Sequence, residues 1–291
     1  MIVVTGATGK LGRAIVEDLL QRLPANEIVA SVRDADKATG LAARGVDVRT
    51  GDFADAGGLR KAFAGAGQVL IVSADKLGEE ALQLHRTAIN TAQDVGVHRI
   101  LYTSHMGARP ASPFLPADQH AGTEADLAAS GLTYTSLRHG FYAESCLQMI
   151  GDSLRTGDLR TPEDGPVSWT ARADLAEADA AILAGDGQWD GITPPLTASR
   201  AVTMTELAWI ASEVLGRDVR HTIVSDEEWR DGKVAAGMPA IYAEMLLGTF
   251  RAARRGDFAA TDPSLERLLG RSPRTMRDVL TASLFLSPNQ H

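Results

Sequence analysis

Short apolar runs alternate with amphipathic stretches along the first half of the chain. Ile2–Thr5 is a four-residue run of β-type, followed by three glycines, Gly6, Gly9 and Gly12. Behind them Ala14, Ile15, Leu19 and Leu20 fall on one helical face. The alternation then repeats. Strands are expected over Glu27–Arg33, Val46–Asp52, Gln68–Ala74, Arg99–Ser104 and Leu132–Arg138. Helices are expected over Asp36–Gly45, Gly58–Gly65 and Glu79 to about Val95, and one more ends in Asp126–Gly131. Strands this uniformly apolar are buried on both faces, which requires a parallel sheet with helices on either side. The expected fold is therefore α/β, a Rossmann-like doubly wound parallel sheet.

Beyond Gly151 the pattern loosens. Ala171–Gly185 and Thr203–Gly216 read as helices, the second with Thr205 as its N-cap, and Val219–Ser225 reads as a strand. Residues 226–291 read as mostly helical. This predicts a sheet domain over 1–150 and a smaller, mostly helical C-terminal lobe over 151–291, with the chain crossing back to the first.

Composition narrows the function classes. The 291 residues are 44% hydrophobic, enough for a large core, and the formal net charge is −8 with no long basic run. Phosphate neutralisation needs clustered Lys and Arg, so nucleic acid is not an expected partner. Cys146 is the only cysteine, so no internal disulfide forms, which fits a cytoplasmic protein. The N-terminus has neither the basic region nor the longer apolar stretch of a signal peptide, and no run approaches the ~20 apolar residues of a membrane helix. The histidines do not cluster with cysteine or carboxylate in a metal-type pattern.

A strand, a glycine turn and a helix together make the phosphate site of a dinucleotide-binding unit. Gly6 permits the tight turn, Gly9 lets backbone approach a pyrophosphate, and Gly12 lets the helix pack closely on the sheet. The helix N-terminus adds unpaired N–H groups and partial positive charge. The spacing is G-x-x-G-x-x-G, as in short-chain and extended short-chain reductases. An NAD site usually ends its second strand in Asp or Glu for the ribose 2′-hydroxyl; here Arg33 stands there, a partner for a 2′-phosphate. NADP(H) is the expected cofactor. Asp52, after the third strand, is placed for the adenine amino group. Ser73, Ala74 and Asp75, after the fourth, are placed under the middle of the cofactor.

The segments MIVVTGATGKLG, ANEIVASVRDADKA, GVDVRTGDF, GVHRILYTS and SGLTYTSLRHGFYAE together resemble the NmrA-like atypical short-chain dehydrogenases/reductases, above all their bacterial quinone- and triphenylmethane-reducing members. The resemblance covers nearly the whole chain and thins beyond about Ala184. It implies that NADP is held by the glycine turn (Gly6, Ala7, Thr8, Gly9, Lys10, Leu11), by Arg33 and by Ser73–Asp75. It further implies nicotinamide-side contacts from Leu137, Arg138, His139, Gly140, Phe141 and Tyr142, and from Trp169, Thr170, Ala171, Arg172 and Asp174. His139 stands where the family commonly has Asn.

The Tyr-x-x-x-Lys pair of classical short-chain dehydrogenases is missing from the helix before the sixth strand, where Gln119–Leu127 stands instead. Reduction of a quinone does not need such an acid, because hydride goes to an electron-poor ring and solvent or a weak donor protonates the product. Catalysis is then mostly positioning. His120 is the one nearby residue able to donate a proton around neutral pH; a purely structural hydrogen bond is its other reading. His105, Met106 and Tyr142 are expected at the substrate, with Tyr142 shaping the pocket and not donating the essential proton. The Pro-rich loop His105–His120 is a candidate lid. Trp229, Met238, Tyr242, Met245 and Phe250 read as core before they read as a pocket wall. Ser225–Asp231 and Arg251–Asp257 read as solvated faces. Two functions stay open: an NADPH-dependent reductase of quinones or similar planar, electron-poor aromatic compounds, possible as a homodimer, and a non-catalytic NADP-binding redox sensor.

Overall fold

The computed structural model describes residues 1–185 and 189–285. Its first half runs β1 (Ile2–Thr5), α1 (Lys10–Leu19), β2 (Ile28–Val32), α2 (Thr39–Ala42), β3 (Asp47–Thr50), α3 (Ala56–Phe63), β4 (Gln68–Ile71), α4 (Glu79–Asp94), β5 (Arg99–His105), α5 (Leu115–Ala129), β6 (Thr133–His139), β7 (Phe141–Tyr142) and α6 (Ala143–Ile150). The second runs α7 (Ser153–Thr156), β8 (Asp158–Pro162), β9 (Trp169–Thr170), α8 (Arg172–Ala184), β10 (Gly191–Ile192), α9 (Met204–Leu215), β11 (Arg220–Val224), α10 (Asp226–Ala235), α11 (Ala240–Arg254), α12 (Ser264–Leu269) and α13 (Met276–Phe285).

Seven strands form one parallel sheet in the order β10-β6-β5-β4-β1-β2-β3. The period of two sorts its side chains. Val3, Val29, Val69 and Ile100 point to the face covered by α3 and α4, whereas Val4, Ala30, Leu70 and Leu101 point to the face covered by α1 and α8. All eight are fully buried, and full burial contributes ~1.5–3 kcal/mol for each of the larger ones. The strand order reverses between β1 and β4, so a crevice opens at their carboxyl ends.

The second half does not stand apart from the sheet. β10 extends it beside β6, and α8 packs on α1. The remaining elements gather around a third core that includes Trp169, Leu207, Leu247, Phe250 and Phe258. Two small parallel pairs, β8–β11 and β7–β9, brace this lobe. Among the described residues no helix is long and apolar enough to cross a membrane.

Several details depart from expectation. Asp36–Gly45 is a 3₁₀ turn followed by the single turn α2. The N-cap of α9 is Thr203, whose hydroxyl accepts from the Glu206 N–H while Glu206 reaches back to the Thr203 N–H, a capping box; the Thr205 hydroxyl instead bonds the His221 ring at 2.8 Å. The Pro-rich segment is loop only to Phe114, because Pro116 sits in the first turn of α5, where its missing N–H costs nothing. The two charge runs face each other: the Asp226 carboxylate takes Arg251 Nε at 3.1 Å and Arg254 Nη1 at 2.9 Å. Trp229 and Phe250 are core, Tyr242 is exposed, and Met245 reaches a cavity. Of the tail read as helical, residues 286–291 lie outside the described residues.

Candidate functional site

The glycine turn leaves β1 at the switch point. Gly6 has φ +59°, in the left-handed region that favours glycine. A Cβ on Gly12 would overlap the Gly6 carbonyl oxygen and stand 2.9 Å from the Gly6 carbonyl carbon, so α1 rests directly on the turn. Gly9 is the N-cap of α1, and no side chain caps that end. The first N–H groups of the helix therefore stay available to an anion. Arg33, just past β2, is exposed and makes no ion pair among the described residues. Its neighbour Asp34 is engaged with Lys37 at 3.5 Å and with the Asp36 N–H at 3.1 Å. The Asp52 carboxylate closes its own turn on the Ala54 N–H at 2.9 Å.

A cavity of about 310 Å³ opens beside this turn, over the ends of β4, β5 and β6. Ser73, Ala74 and Asp75 form one side, Ser104 and His105 the base, and His139, Gly140, Phe141 and Tyr142 the other side; Phe114 and Met245 add apolar wall, and Gln119 and His120 reach in from α5. His105 is ringed by Phe114, Phe141 and Phe258, with centroids 5.1–5.6 Å away. The Gly107 N–H donates to its Nδ1 at 3.0 Å, which puts the proton on Nε2. That Nε2 is buried without a partner among the described residues, and an orphaned donor at a cavity wall suits an acceptor on a bound molecule. Burial pushes the His105 pKa down to about 3, so the ring is neutral.

His120 lies inside α5, not at its start. Its Nδ1 is 2.7 Å from the Tyr102 hydroxyl. Burial, reinforced by facing His105, His85 and His139, holds its pKa well below that of ordinary histidine. The imidazolium expected as a proton donor around neutral pH is therefore absent, and His120 is a neutral hydrogen-bonding group of the wall. Met106 turns into the lobe core with 7% exposure and does not line the cavity; its N–H donates to the His139 carbonyl at 2.7 Å.

The other predicted segments divide. Leu137 is core. The Arg138 guanidinium bonds Glu124 at 2.6 and 3.0 Å, and Ser104 and Ser136 donate to the same carboxylate at 2.8 Å each. Trp169 is 2% exposed in the lobe core, the Thr170 hydroxyl accepts the Ala198 N–H at 2.9 Å, and Ala171 is the N-cap of α8. Arg172 stacks its guanidinium 4.9 Å from the Tyr142 ring centroid, so it reaches the cavity through that ring. The Asp174 carboxylate is consumed by Arg271, by the Arg274 N–H at 2.6 Å and by the Arg274 guanidinium; it ties α8 to the segment before α13.

Sequence reasoning missed three supporting groups. His85 accepts the Ala74 N–H on Nε2 at 2.9 Å and places its Nδ1 2.9 Å from the Thr123 hydroxyl, fixing the segment after β4. Glu124 and Asp179 are acids buried in α5 and α8. A carboxylate on an apolar helix face was the available signal, since such a group is found inside only when partnered.

The whole arrangement has a family. A model of the NmrA-like family matches residues 1–279. The chain belongs to the NmrA-like family. It is 36% identical over 279 residues to quinone oxidoreductase 2 of Escherichia coli strain K12, covering 96% of each protein. The crystal structure of an NADPH-dependent quinone oxidoreductase from Escherichia coli, complexed with NADPH, superposes with a TM-score of 0.92 at 34% identity, covering 98% of this chain and 100% of that one. Triphenylmethane reductase of Citrobacter sp., complexed with NADP(H), gives a TM-score of 0.89 at 33% identity over 97% and 99% of the two chains.

Proposed function

We propose that this NmrA-like protein is an NADPH-dependent oxidoreductase that reduces quinones or comparable planar, electron-poor aromatic compounds. The observation that carries the reading is the junction of an uncapped helix N-terminus, and of a strand-end arginine that makes no ion pair among the described residues, with an aromatic-walled cavity. The relatives named above are described as NADPH-dependent or NADP(H)-complexed reductases, which supports the same cofactor and chemistry here.

The residues divide the work. The N–H groups at the start of α1 hold the pyrophosphate, and Arg33 holds the 2′-phosphate through a charge-assisted fork. Ser73–Asp75, braced by His85 and by the Thr103 hydroxyl at 2.9 Å from the Ser73 nitrogen, support the middle of the dinucleotide. NADPH supplies the hydride when bound. Phe114, Phe141 and Met245 give a flat acceptor an apolar wall and exclude water, and the His105 Nε2–H faces a developing oxyanion. No Tyr-x-x-x-Lys pair takes part.

The test is NADPH oxidation against a panel of small quinones and cationic triarylmethane dyes. Saturable turnover well above the uncatalysed rate supports the reading. Tight NADPH binding with no acceptor reduced faster than the control overturns it in favour of a cofactor-sensing role.

A further inference from the structure

A fully buried ionisable pair borders the cavity. His139, at the end of β6, and Asp179, in the middle of α8, have 1% and 0% side-chain exposure and meet at 2.9 Å from Nε2 to Oδ1. The other carboxylate oxygen of Asp179 has no partner among the described residues. On the opposite edge of the imidazole, Nδ1 is 3.5 Å from the Tyr142 hydroxyl, and both residues line the cavity. Carboxylate, imidazole and phenol thus run in one line from the interior of α8 to the cavity wall.

Resting on the reductase reading, we propose that Asp179, His139 and Tyr142 form a proton relay that delivers one proton to the reduced acceptor. A carboxylate and a neutral imidazole sealed from water would carry an uncompensated negative charge, which is costly at such a site. The proton that offsets it sits on the Asp179 carboxyl, whose pKa burial pushes up. When hydride has reached the acceptor, an oxyanion is left in the cavity. The Tyr142 O–H bond breaks towards that oxyanion while the proton on His139 Nδ1 moves to the phenol oxygen and the Asp179 carboxyl proton moves to His139 Nε2, leaving a neutral imidazole beside a carboxylate. Tyr142 is unchanged at the end, and the acceptor has gained one hydride and one proton. The His139–Asp179 pair has lost one proton, which it regains from water when product leaves. Burial makes Tyr142 too weak an acid to act alone; the concerted shift removes the need for a free phenolate.

The groups facing the relay are few. His105 and His120 approach His139 from β5 and α5 and are held neutral by burial. Arg172 lies over the Tyr142 ring, with Glu144 beside it at 3.9 Å. None of them competes for the proton between His139 and Asp179. Tyr142 touches the acceptor and is the catalytic residue; His139 and Asp179 act through it.

His139→Asn, Asp179→Asn and Tyr142→Phe test the relay, read as the pH profile of kcat and the solvent deuterium isotope effect with a quinone that the wild type reduces. Wild-type kcat should fall as pH rises past the raised Asp179 pKa and that carboxyl gives up its proton, with a solvent isotope effect. His139→Asn should lose that pH limb and drop kcat about tenfold or more. Tyr142→Phe should abolish the solvent effect. Circular dichroism and NADPH affinity identify variants that fail to fold; if His139→Asn does, the Tyr142→Phe result alone decides. An unchanged pH profile in folded His139→Asn, or full solvent isotope effect in Tyr142→Phe, overturns the relay. Wild type that reduces no acceptor overturns the reductase reading itself, and the relay with it.

Discussion

Replacing Arg33 by alanine isolates the recognition of the 2′-phosphate. The side chain is exposed at the end of β2, has no ion-pair partner among the described residues, and its acidic neighbour is tied to Lys37. No ion pair or side-chain hydrogen bond among the described residues is lost on mutation, so the effect falls on binding and not on folding. A charge-assisted hydrogen bond contributes ~1.5–3 kcal/mol, and each ~1.4 kcal/mol is tenfold in affinity. Exposure places this contact at the lower end, so NADPH should bind Arg33→Ala about tenfold more weakly. NADH, which lacks the 2′-phosphate, should be unaffected within about twofold. Titration of the nicotinamide fluorescence of each cofactor gives the four dissociation constants. The wild-type preference for NADPH should also shrink with added salt, because an exposed pair is screened. Equal wild-type affinity for the two cofactors, or an equal loss for both in the mutant, would refute the assignment.

The Gly9→Val side chain would start 3.1 Å from the Gly6 carbonyl oxygen and stand where phosphate must meet backbone; NADPH binding should vanish while the circular dichroism spectrum is kept. Gly12→Ala pushes α1 off the turn, and overpacking of this kind costs ~1–3 kcal/mol, to be read as a lower urea midpoint at unchanged m-value. The hydrogen bonds from Arg254 and Arg251 hold the Asp226 carboxyl below the usual carboxylate range. Its contribution to stability is therefore present above the unfolded-state value and is lost as pH falls through the lower folded value; Asp226→Asn should flatten that acid limb in thermal melts, and an unchanged limb would refute it.

What could be read from sequence followed from how local each signal is. The β1 run, the glycine turn and the helix behind it occupy one short stretch, and the inner strands β1, β2, β4 and β5 announced themselves by apolar runs. The two-residue edge strand β10 gave no such signal and was not foreseen, and edge strand β3 is exposed or half-buried. Arg33 was legible because the end of a second strand has a fixed place relative to the turn. The Asp174 carboxylate was not, since its partners Arg271 and Arg274 lie about a hundred residues away and only the fold brings them to α8. His120 was assigned an ordinary histidine's proton affinity because sequence carries no burial; burial against Tyr102 and His105, with His105, His85 and His139 facing it, removed it. Thr205 lost the cap to Thr203 because Glu206 sits three residues after the latter, a reciprocal pair visible in the sequence once the register is fixed. Asp179 gave only the weak signal of one acid within an apolar helix, and its meaning depends wholly on His139 arriving from β6.

Stopped-flow mixing of the NADPH-loaded protein with an excess of a small quinone tests the central claim most directly. With NADPH and its 4-deuterated counterpart, direct hydride transfer predicts a single-turnover decay of the nicotinamide absorbance that is severalfold slower for the deuterated position and far faster than without protein. A decay no faster than the protein-free control, or one indifferent to the label at every quinone concentration, would contradict it.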